Sequence, residues 1–452
     1  MEVSDRDVER GEVELLVPHG GDLERTERVF LSNIDQTVAF PVETVFFFRA
    51  SPGDTLNVID RVKRAVSVVV SGKYYFMAGR LALDSSSTRL ELLCNNAGVP
   101  FAGSESRLRM AELGDVSLPN QSFQRLVLRT VGGAAAGELS EATVFTVQVT
   151  RFSCGGFSVG FVTNHCVLDG RSAADMFVAI AAVCRGESLK SGGICNDRSC
   201  LRARDPPQID YMHNEYTEQS NGGGAALPPS SFTSPGRSSA AAAGRQDELC
   251  YRVFPFSGDD IRRLKDRAAA GDGRSSTFEA LVAHIWRART RAVLRRPEEA
   301  STVVFAVDVR SRMSPPLPEG FVGNAVAAAA ASAAAAEVVE NPISFCAEKV
   351  REAVGRVTDR YVRSAVDWLE VHRGVPATGA GGFFVSAWWK LPFHELDFGH
   401  GRPVYGGPVA SPMEEFVLLL HGGAAAHGGG ISVWVMLERG KMEKLTTYMA
   451  EI

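Results

Sequence analysis

The chain lacks any run approaching the ~20 consecutive apolar residues that a membrane-spanning helix requires, so no such span is expected. Its first residues, Met1-Glu2-Val3-Ser4-Asp5-Arg6-Asp7, are charged where a secretory signal would be apolar, and a cytoplasmic protein is the expectation. An excess of positive charge is also missing. Lys and Arg number 48 against 53 Asp and Glu, a net charge of -5, which argues against a broad electrostatic partnership with nucleic acid or an anionic membrane. None of the eight cysteines belongs to a C-x-x-C pair, and only Cys166 has a histidine beside it. No metal site is therefore expected, and the thiols should be free and mostly buried. The glycine-rich runs at 132–133, 222–224 and 428–430 lack a strand–G-x-G-x-x-G–helix setting, so a dinucleotide site finds no support. No short-period repeat is visible.

What is present is the composition of a soluble globular protein, 45% hydrophobic and 22% charged over 452 residues, long enough for two domains or three. Strand-like runs are read at 44–48, 67–70, 74–77 and 90–93, with a polar helix-like stretch near 58–66. A small-residue loop at 132–137 precedes 142–152, which alternates like a strand. Residues 219–245, rich in Gly, Ser, Pro and Ala, read as a mobile linker unable to bury a core. The junction is placed there, giving one domain over 1–218, a crossover over 219–245 and a second domain over 246–452. Beyond it, Ser276-Thr277-Phe278-Glu279 is a capping box opening a helix to about Leu294. Residues 301–309 read as a strand and 345–369 as a helix, and 416–420 with 431–437 form a late strand pair around a glycine-rich turn at 422–430. The run 325–336 is nearly pure alanine, which suits a helix by propensity and equally a strand packed against bulky neighbours. Strands and helices mix in both halves, so the class is α/β or α+β with mixed sheets.

Phe157-Ser158-Val159-Gly160-Phe161-Val162 alternates with period two, as a half-buried strand does. It runs into Thr163-Asn164-His165-Cys166-Val167-Leu168-Asp169-Gly170, an H-x-x-x-D-G element. Phe157, Val159, Phe161 and His165 fall on one face, which places the imidazole at the strand's end. There it can accept a proton from a bound substrate, a task that suits a group titrating near neutrality. His165 is the first candidate for catalysis, and a hydrogen-bonded core histidine is the plain alternative. Cys166 adjoins it, but neighbours on a strand point to opposite faces, which argues against a Cys–His nucleophile. A helix is read from Ser172-Ala173-Ala174-Asp175, with Ala173, Met176, Phe177, Ile180, Ala181 and Cys184 at helical spacing and Gly186 as its end. His284 flanks the apolar face of its own helix and reads as structural. Arg262, Arg263, Lys265 and Arg267 read as a solvated helix face.

The second half carries Val307-Asp308-Val309-Arg310-Ser311-Arg312-Met313-Ser314-Pro315-Pro316-Leu317-Pro318, Gly323-Asn324, Ser386-Ala387-Trp388-Trp389-Lys390-Leu391-Pro392 and Asp397-Phe398-Gly399-His400-Gly401-Arg402-Pro403. With the His165 element, Leu31-Ser32-Asn33-Ile34-Asp35 and Thr277-Phe278-Glu279-Ala280-Leu281, in this order and at these separations, the chain resembles the plant BAHD acyl-CoA-dependent acyltransferases over nearly its whole length. The resemblance implies two chloramphenicol-acetyltransferase-like domains joined by a long crossover, with an active-site channel between them. Acyl-CoA enters from one side as co-substrate and a hydroxyl or amine acceptor from the other, with no permanently bound cofactor and a monomeric protein. The wording of 147–157 and 164–177 looks most like members that move hydroxycinnamoyl groups onto hydroxy fatty acids or fatty alcohols.

The same resemblance assigns roles. His165 is the general base. Asp169 either orients the imidazole or turns away to pair with an arginine, Arg310 at the matching place, and the second role is favoured. Ser386 is a candidate oxyanion donor, or else an ordinary strand hydroxyl, and Asn164 and Trp388 line the substrate pocket. Asp397, Phe398, Gly399 and Gly401 shape the CoA side of the channel. His400 stands where the family has tryptophan, a change that bears on loop rigidity and not on the chemistry. One or two of the cations at 262–267 would meet the phosphorylated end of CoA. Two rivals are a non-catalytic relative serving as partner in a lipid-metabolism complex, and a condensation domain of peptide-synthetase type. That second group shares H-x-x-x-D-G but usually has another histidine where Asn164 stands.

Overall fold

The computed structural model describes residues 3–19, 26–50, 57–84, 89–117, 120–129, 142–189, 192–217, 249–269, 273–376, 381–409, 415–422 and 430–452. The expected crossover at 219–245, the loop at 132–137 and most of the turn at 422–430 lie outside the described residues. Two mixed sheets dominate. In the first, Phe157–Asn164 lies between Phe145–Phe152 and Pro41–Phe48, antiparallel to both. Val99–Ser106 joins parallel to Phe145–Phe152, and short strands Val8–Arg10 and Glu14–Leu16 close that edge. The second sheet runs, in spatial order, Leu249–Phe256, Ile431–Glu438, Phe416–His421, Gly382–Ala387, Ala300–Asp308 and Val326–Ala334. Parallel pairing of Gly382–Ala387 with both its neighbours makes this sheet mixed as well. The class is therefore α/β of mixed α+β character, as the element pattern implied.

The alternation read in the sequence explains the first sheet. Phe157, Val159 and Phe161 enter the core beneath helices Val58–Ser71 and Gly170–Cys184, and Phe161 stacks on Phe177 at 4.2 Å. That packing holds the last residues of the strand still, and His165 leaves from its end.

Several expected elements take another form. Residues 67–70 and 74–77, read as strands, belong to the helix Val58–Ser71 and the 3-10 turn Tyr75–Ala78. Valine density suggests a strand by propensity, but burial of Val58, Val62, Ala65, Val66, Val69 and Val70 follows a helical period. The span 345–369 is two helices, Ile343–Arg356 and Asp359–His372, interrupted where Thr358 caps the second. The helix expected to open at Ser172 starts at Gly170, with Asp169 as its N-cap. The alanine run forms the strand Val326–Ala334 at the edge of the second sheet. Ala327, Ala329 and Ala331 turn into the core. Ala328 N donates to the Tyr216 hydroxyl at 3.4 Å, and Arg356 donates to Ala330 O at 2.8 Å. These partners occupy backbone groups that an edge strand would otherwise offer to another chain.

The chain also crosses back. After Ala387 it returns to the first core, where Phe393, Leu396 and Phe398 are buried, and Tyr405–Pro408 pairs antiparallel with Pro41–Phe48. Among the described residues no helix is long and apolar enough to cross a membrane.

Candidate active site

The turn after Asn164 is shaped by its own polar groups. Asn164 is buried, and its side-chain oxygen accepts from Cys166 N at 3.1 Å. His165 N donates to Phe40 O at 2.8 Å, and the imidazole lies 5.3 Å from the Phe40 ring. The imidazole is half-buried, and its Nδ1 lies 3.0 Å from Asn324 Oδ1. The amide of Asn324 is oriented by its other contacts. Its Nδ2 donates to His165 O at 2.7 Å and to Asp35 Oδ1 at 2.8 Å, and both of those oxygens only accept. Oδ1 of Asn324 is therefore the acceptor toward the imidazole, so His165 Nδ1 carries the proton and Nε2 keeps its lone pair. Burial pushes the His165 pKa below its ordinary value, against its own backbone hydrogen bond, the fields of Asp169 and Asp35 and the Asn324 contact. The neutral imidazole is the form this site favours.

Asp169 commits its carboxylate elsewhere. Oδ1 caps the helix by accepting from Ser172 N at 2.8 Å, and Oδ2 accepts from Ala325 N at 3.1 Å. Arg310 lies 2.9 Å from Oδ2 and 3.0 Å from Oδ1, and also donates to Ser172 Oγ at 3.0 Å. A negative charge at a helix N-terminus is favourable, and this one ties the first half of the chain to Arg310 and Ala325 of the second. Ser386 and Trp388 come together at the end of Gly382–Ala387, where Trp388 Nε1 donates to Ser386 Oγ at 2.9 Å. Trp388 packs 5.6 Å from Phe393 on the returning segment.

The Asp397 loop is a tight anion-capped turn. Asp397 Oδ1 accepts from the backbone N–H of Gly399, His400 and Gly401 at 2.7, 2.9 and 2.9 Å. Gly399 and Gly401 have φ of 93° and 81°, a region that glycine enters without steric cost. Phe398 is fully buried, 5.4 Å from Phe48. His400 stands edge-on to Phe157 at 5.0 Å, and its Nε2 lies 2.8 Å from Arg61 Nη2. A guanidinium only donates, so this Nε2 accepts. Arg61 Nη2 also donates to Phe398 O at 2.9 Å, which gives the loop a second brace.

Other sequence candidates separate clearly. Cys166 is fully buried and burial raises its pKa, so no thiolate forms beside His165. His284 Nε2 lies 3.1 Å from Met449 O inside the second core. Arg262 and Arg263 pair with Asp259 and Asp260 on the exposed face of Gly258–Ala268. Asn324 and Asp35, which hold the imidazole, were not among the candidate side chains although both stand in the motifs singled out above. The signal for Asp35 is the capping-box spacing Ser32-Asn33-Ile34-Asp35, and that for Asn324 is a lone polar residue after Gly323.

The family model described as Transferase family matches residues 8–452. The chain belongs to that family, the BAHD acyltransferases. It is similar to omega-hydroxypalmitate O-feruloyl transferase of Arabidopsis thaliana, 35% identical over 87% of this chain and 83% of that protein. It is also similar to fatty alcohol:caffeoyl-CoA acyltransferase of Arabidopsis thaliana, 33% identical over 86% of this chain and 87% of that protein. Among solved structures, vinorine synthase matches with a TM-score of 0.72 at 20% identity, covering 97% of this chain and 96% of that one. That likeness is one of fold. As a BAHD member the chain is an acyl-CoA-dependent O-acyltransferase.

Proposed function

We propose that His165 Nε2 is the general base of a direct acyl transfer from acyl-CoA to the hydroxyl of a long-chain hydroxy fatty acid or fatty alcohol, with a hydroxycinnamoyl group as the acyl. Nε2 takes the acceptor's proton as its oxygen bonds to the thioester carbonyl carbon, and the carbonyl electrons move onto oxygen. When the tetrahedral intermediate collapses, the C–S bond breaks and the imidazolium returns the proton to the departing CoA thiolate. No covalent acyl-enzyme is formed. The observation that carries this reading is the Asn324 bridge, which leaves His165 neutral with the proton on Nδ1. Ser386 is the oxyanion donor: Trp388 N–H fills one acceptor site on Oγ, which leaves the hydroxyl hydrogen to donate. Trp388 lines the pocket, whereas Asp169 and Arg310 serve as braces. The substrate class is supported by the likeness to omega-hydroxypalmitate O-feruloyl transferase and fatty alcohol:caffeoyl-CoA acyltransferase.

The test is a matrix of acyl-CoA donors against ω-hydroxy acids, fatty alcohols, phenolics, sterols and amines, with products detected by mass. Feruloyl- or caffeoyl-CoA with a long-chain hydroxylated lipid should give the highest kcat/KM. His165→Ala should lower kcat by ~10²–10⁴-fold, the usual worth of positioned proton transfer. Turnover that survives this substitution would remove His165 from the chemistry, and preference for a short acyl donor would remove the substrate class.

A further inference from the structure

Behind Asn324 lies a buried charge pair that the acyl-transfer chemistry does not touch. Arg198 and Asp35 both have fully buried side chains, and Arg198 Nε lies 3.4 Å from Asp35 Oδ2. Arg198 Nη2 donates to Val167 O at 2.8 Å, two residues beyond His165, and Nη1 donates to Asn196 O at 3.3 Å. Asp35 Oδ2 accepts from Ser32 N and Oγ, each at 2.7 Å, while Oδ1 accepts from Asn324 N at 3.1 Å and Nδ2 at 2.8 Å. Gly323 is shaped to this cation: its φ is 150°, and a Cβ there would stand 2.6 Å from Arg198 Nε. The Gly323-Asn324 pair thus has two separate duties, room for the guanidinium and a bridge to the imidazole.

We propose that Arg198 is a positioning residue for the reaction, balancing the Asp35 carboxylate so that the Asn324 bridge holds the His165 imidazole neutral with Nε2 free. The proposal rests on the reading of His165 as general base. Its physical basis is the charge arrangement around the ring. Two carboxylates, Asp169 and Asp35, act on His165, and each favours the imidazolium. Asp169 comes from the turn and is paired with Arg310. Asp35 comes from the short helix Asn33–Gln36 and is paired with Arg198. Cys166, next in the chain, adds no charge, because burial raises its pKa and favours the neutral thiol. With either guanidinium missing, a buried carboxylate faces the ring unbalanced and stabilises its protonated form, in which Nε2 cannot act as base.

The experiment is the pH dependence of kcat/KM for the full-length enzyme, with circular dichroism to confirm folding. In the unmodified enzyme the acid limb is expected below the ordinary histidine value, because burial lowers the His165 pKa. Arg198→Met should move that limb to higher pH, and a move of one unit is about a tenfold loss of kcat/KM well below the limb. Asp35→Asn should move it the other way, since the favouring charge is gone and Arg198 remains. Arg198→Lys keeps the charge and should leave the limb in place although packing is poorer. A limb that stays put in Arg198→Met, or rises in Asp35→Asn, overturns the proposal. Should Arg198→Met fail to fold, Arg198→Gln, which keeps hydrogen-bonding groups without the charge, is read by the same criterion. Activity that persists in His165→Ala refutes the base itself, whereas loss there with an unmoved limb in Arg198→Met refutes only the role of Arg198.

Discussion

His165 is held by its neighbours and not by its motif partner. The spacing H-x-x-x-D puts Asp169 four residues on, which suggests a carboxylate behind the imidazole, as in a hydrolytic triad. The turn instead carries Asp169 to the start of the helix Gly170–Cys184, where Ser172 N, Ala325 N and Arg310 take up its two oxygens. Asn324 stands where a triad carboxylate would, and an amide orients the ring without adding a charge that would hold it protonated. The expected consequence is a stability phenotype at Asp169. With its side chain almost entirely buried and Arg310 mostly so, Asp169→Ala leaves Arg310 with only the half-exposed Asp308 at 3.2 Å and removes the acceptor of Ser172 N and Ala325 N, at a cost of up to roughly 3–5 kcal/mol. Urea denaturation should show that loss as a lower midpoint, together with reduced folded yield and reduced turnover. Undiminished stability with abolished turnover would show instead that Asp169 acts on the reacting atoms.

The Asp397 loop illustrates why one element was legible and its detail was not. Two glycines spaced around one residue, after an aspartate and a phenylalanine, announce a tight turn with a buried aromatic anchor, and φ values of 93° and 81° with a fully buried Phe398 are what that pattern requires. The histidine at 400 could not be interpreted from its neighbours in sequence, because its partner Arg61 lies on the helix Val58–Ser71, 339 residues away. Similar limits apply elsewhere. The strand Phe157–Asn164 and the capping box at Ser276 are local signals and are present as expected, although the strand, expected half-buried, is buried on both faces. Only residues 67–70 of the helix Val58–Ser71 mislead, because propensity and period disagree there, and the alanine run stays open because its own residues do not show the antiparallel pairing with Ala300–Asp308 that makes it a strand. The loop's stability should rest on the carboxylate more than on the imidazole. Asp397→Ala removes the acceptor of three backbone N–H groups, and hydrogen bonds to a charged group contribute about 1.5–3 kcal/mol each when buried. Because Gly399 and Gly401 are exposed, water replaces part of that, and a total loss of ~1–3 kcal/mol is expected. His400→Ala leaves those three bonds and the Arg61–Phe398 contact in place, so its denaturation midpoint should fall less. The reverse order would mean that the histidine, not the aspartate, fixes the turn.

The two halves of the molecule are completed by each other. The base emerges from the first sheet, while the amide that fixes its tautomer, the arginine that braces its turn and the hydroxyl nearest Trp388 all come from the second half of the chain. The returning segment goes further and becomes part of the first sheet itself. Tyr405–Pro408 covers the outer edge of Pro41–Phe48, and Phe393, Leu396 and Phe398 fill the core beside Phe48, Phe161 and Phe177. Residues 1–217 produced alone would therefore expose an unpaired strand edge and an uncovered aromatic cluster, a combination that favours aggregation over folding. Such a fragment should lack near-ultraviolet circular dichroism and a sharp thermal transition, and it should be inactive even with His165 intact. Adding residues 249–452 as a second chain during refolding should restore both signals and some turnover, because the missing strand, aromatic anchors and Asn324 arrive together. A fragment that melts cooperatively on its own would show that the first sheet needs neither the strand nor the anchors, and that the exchange serves only to bring Asn324 and Arg310 to the base.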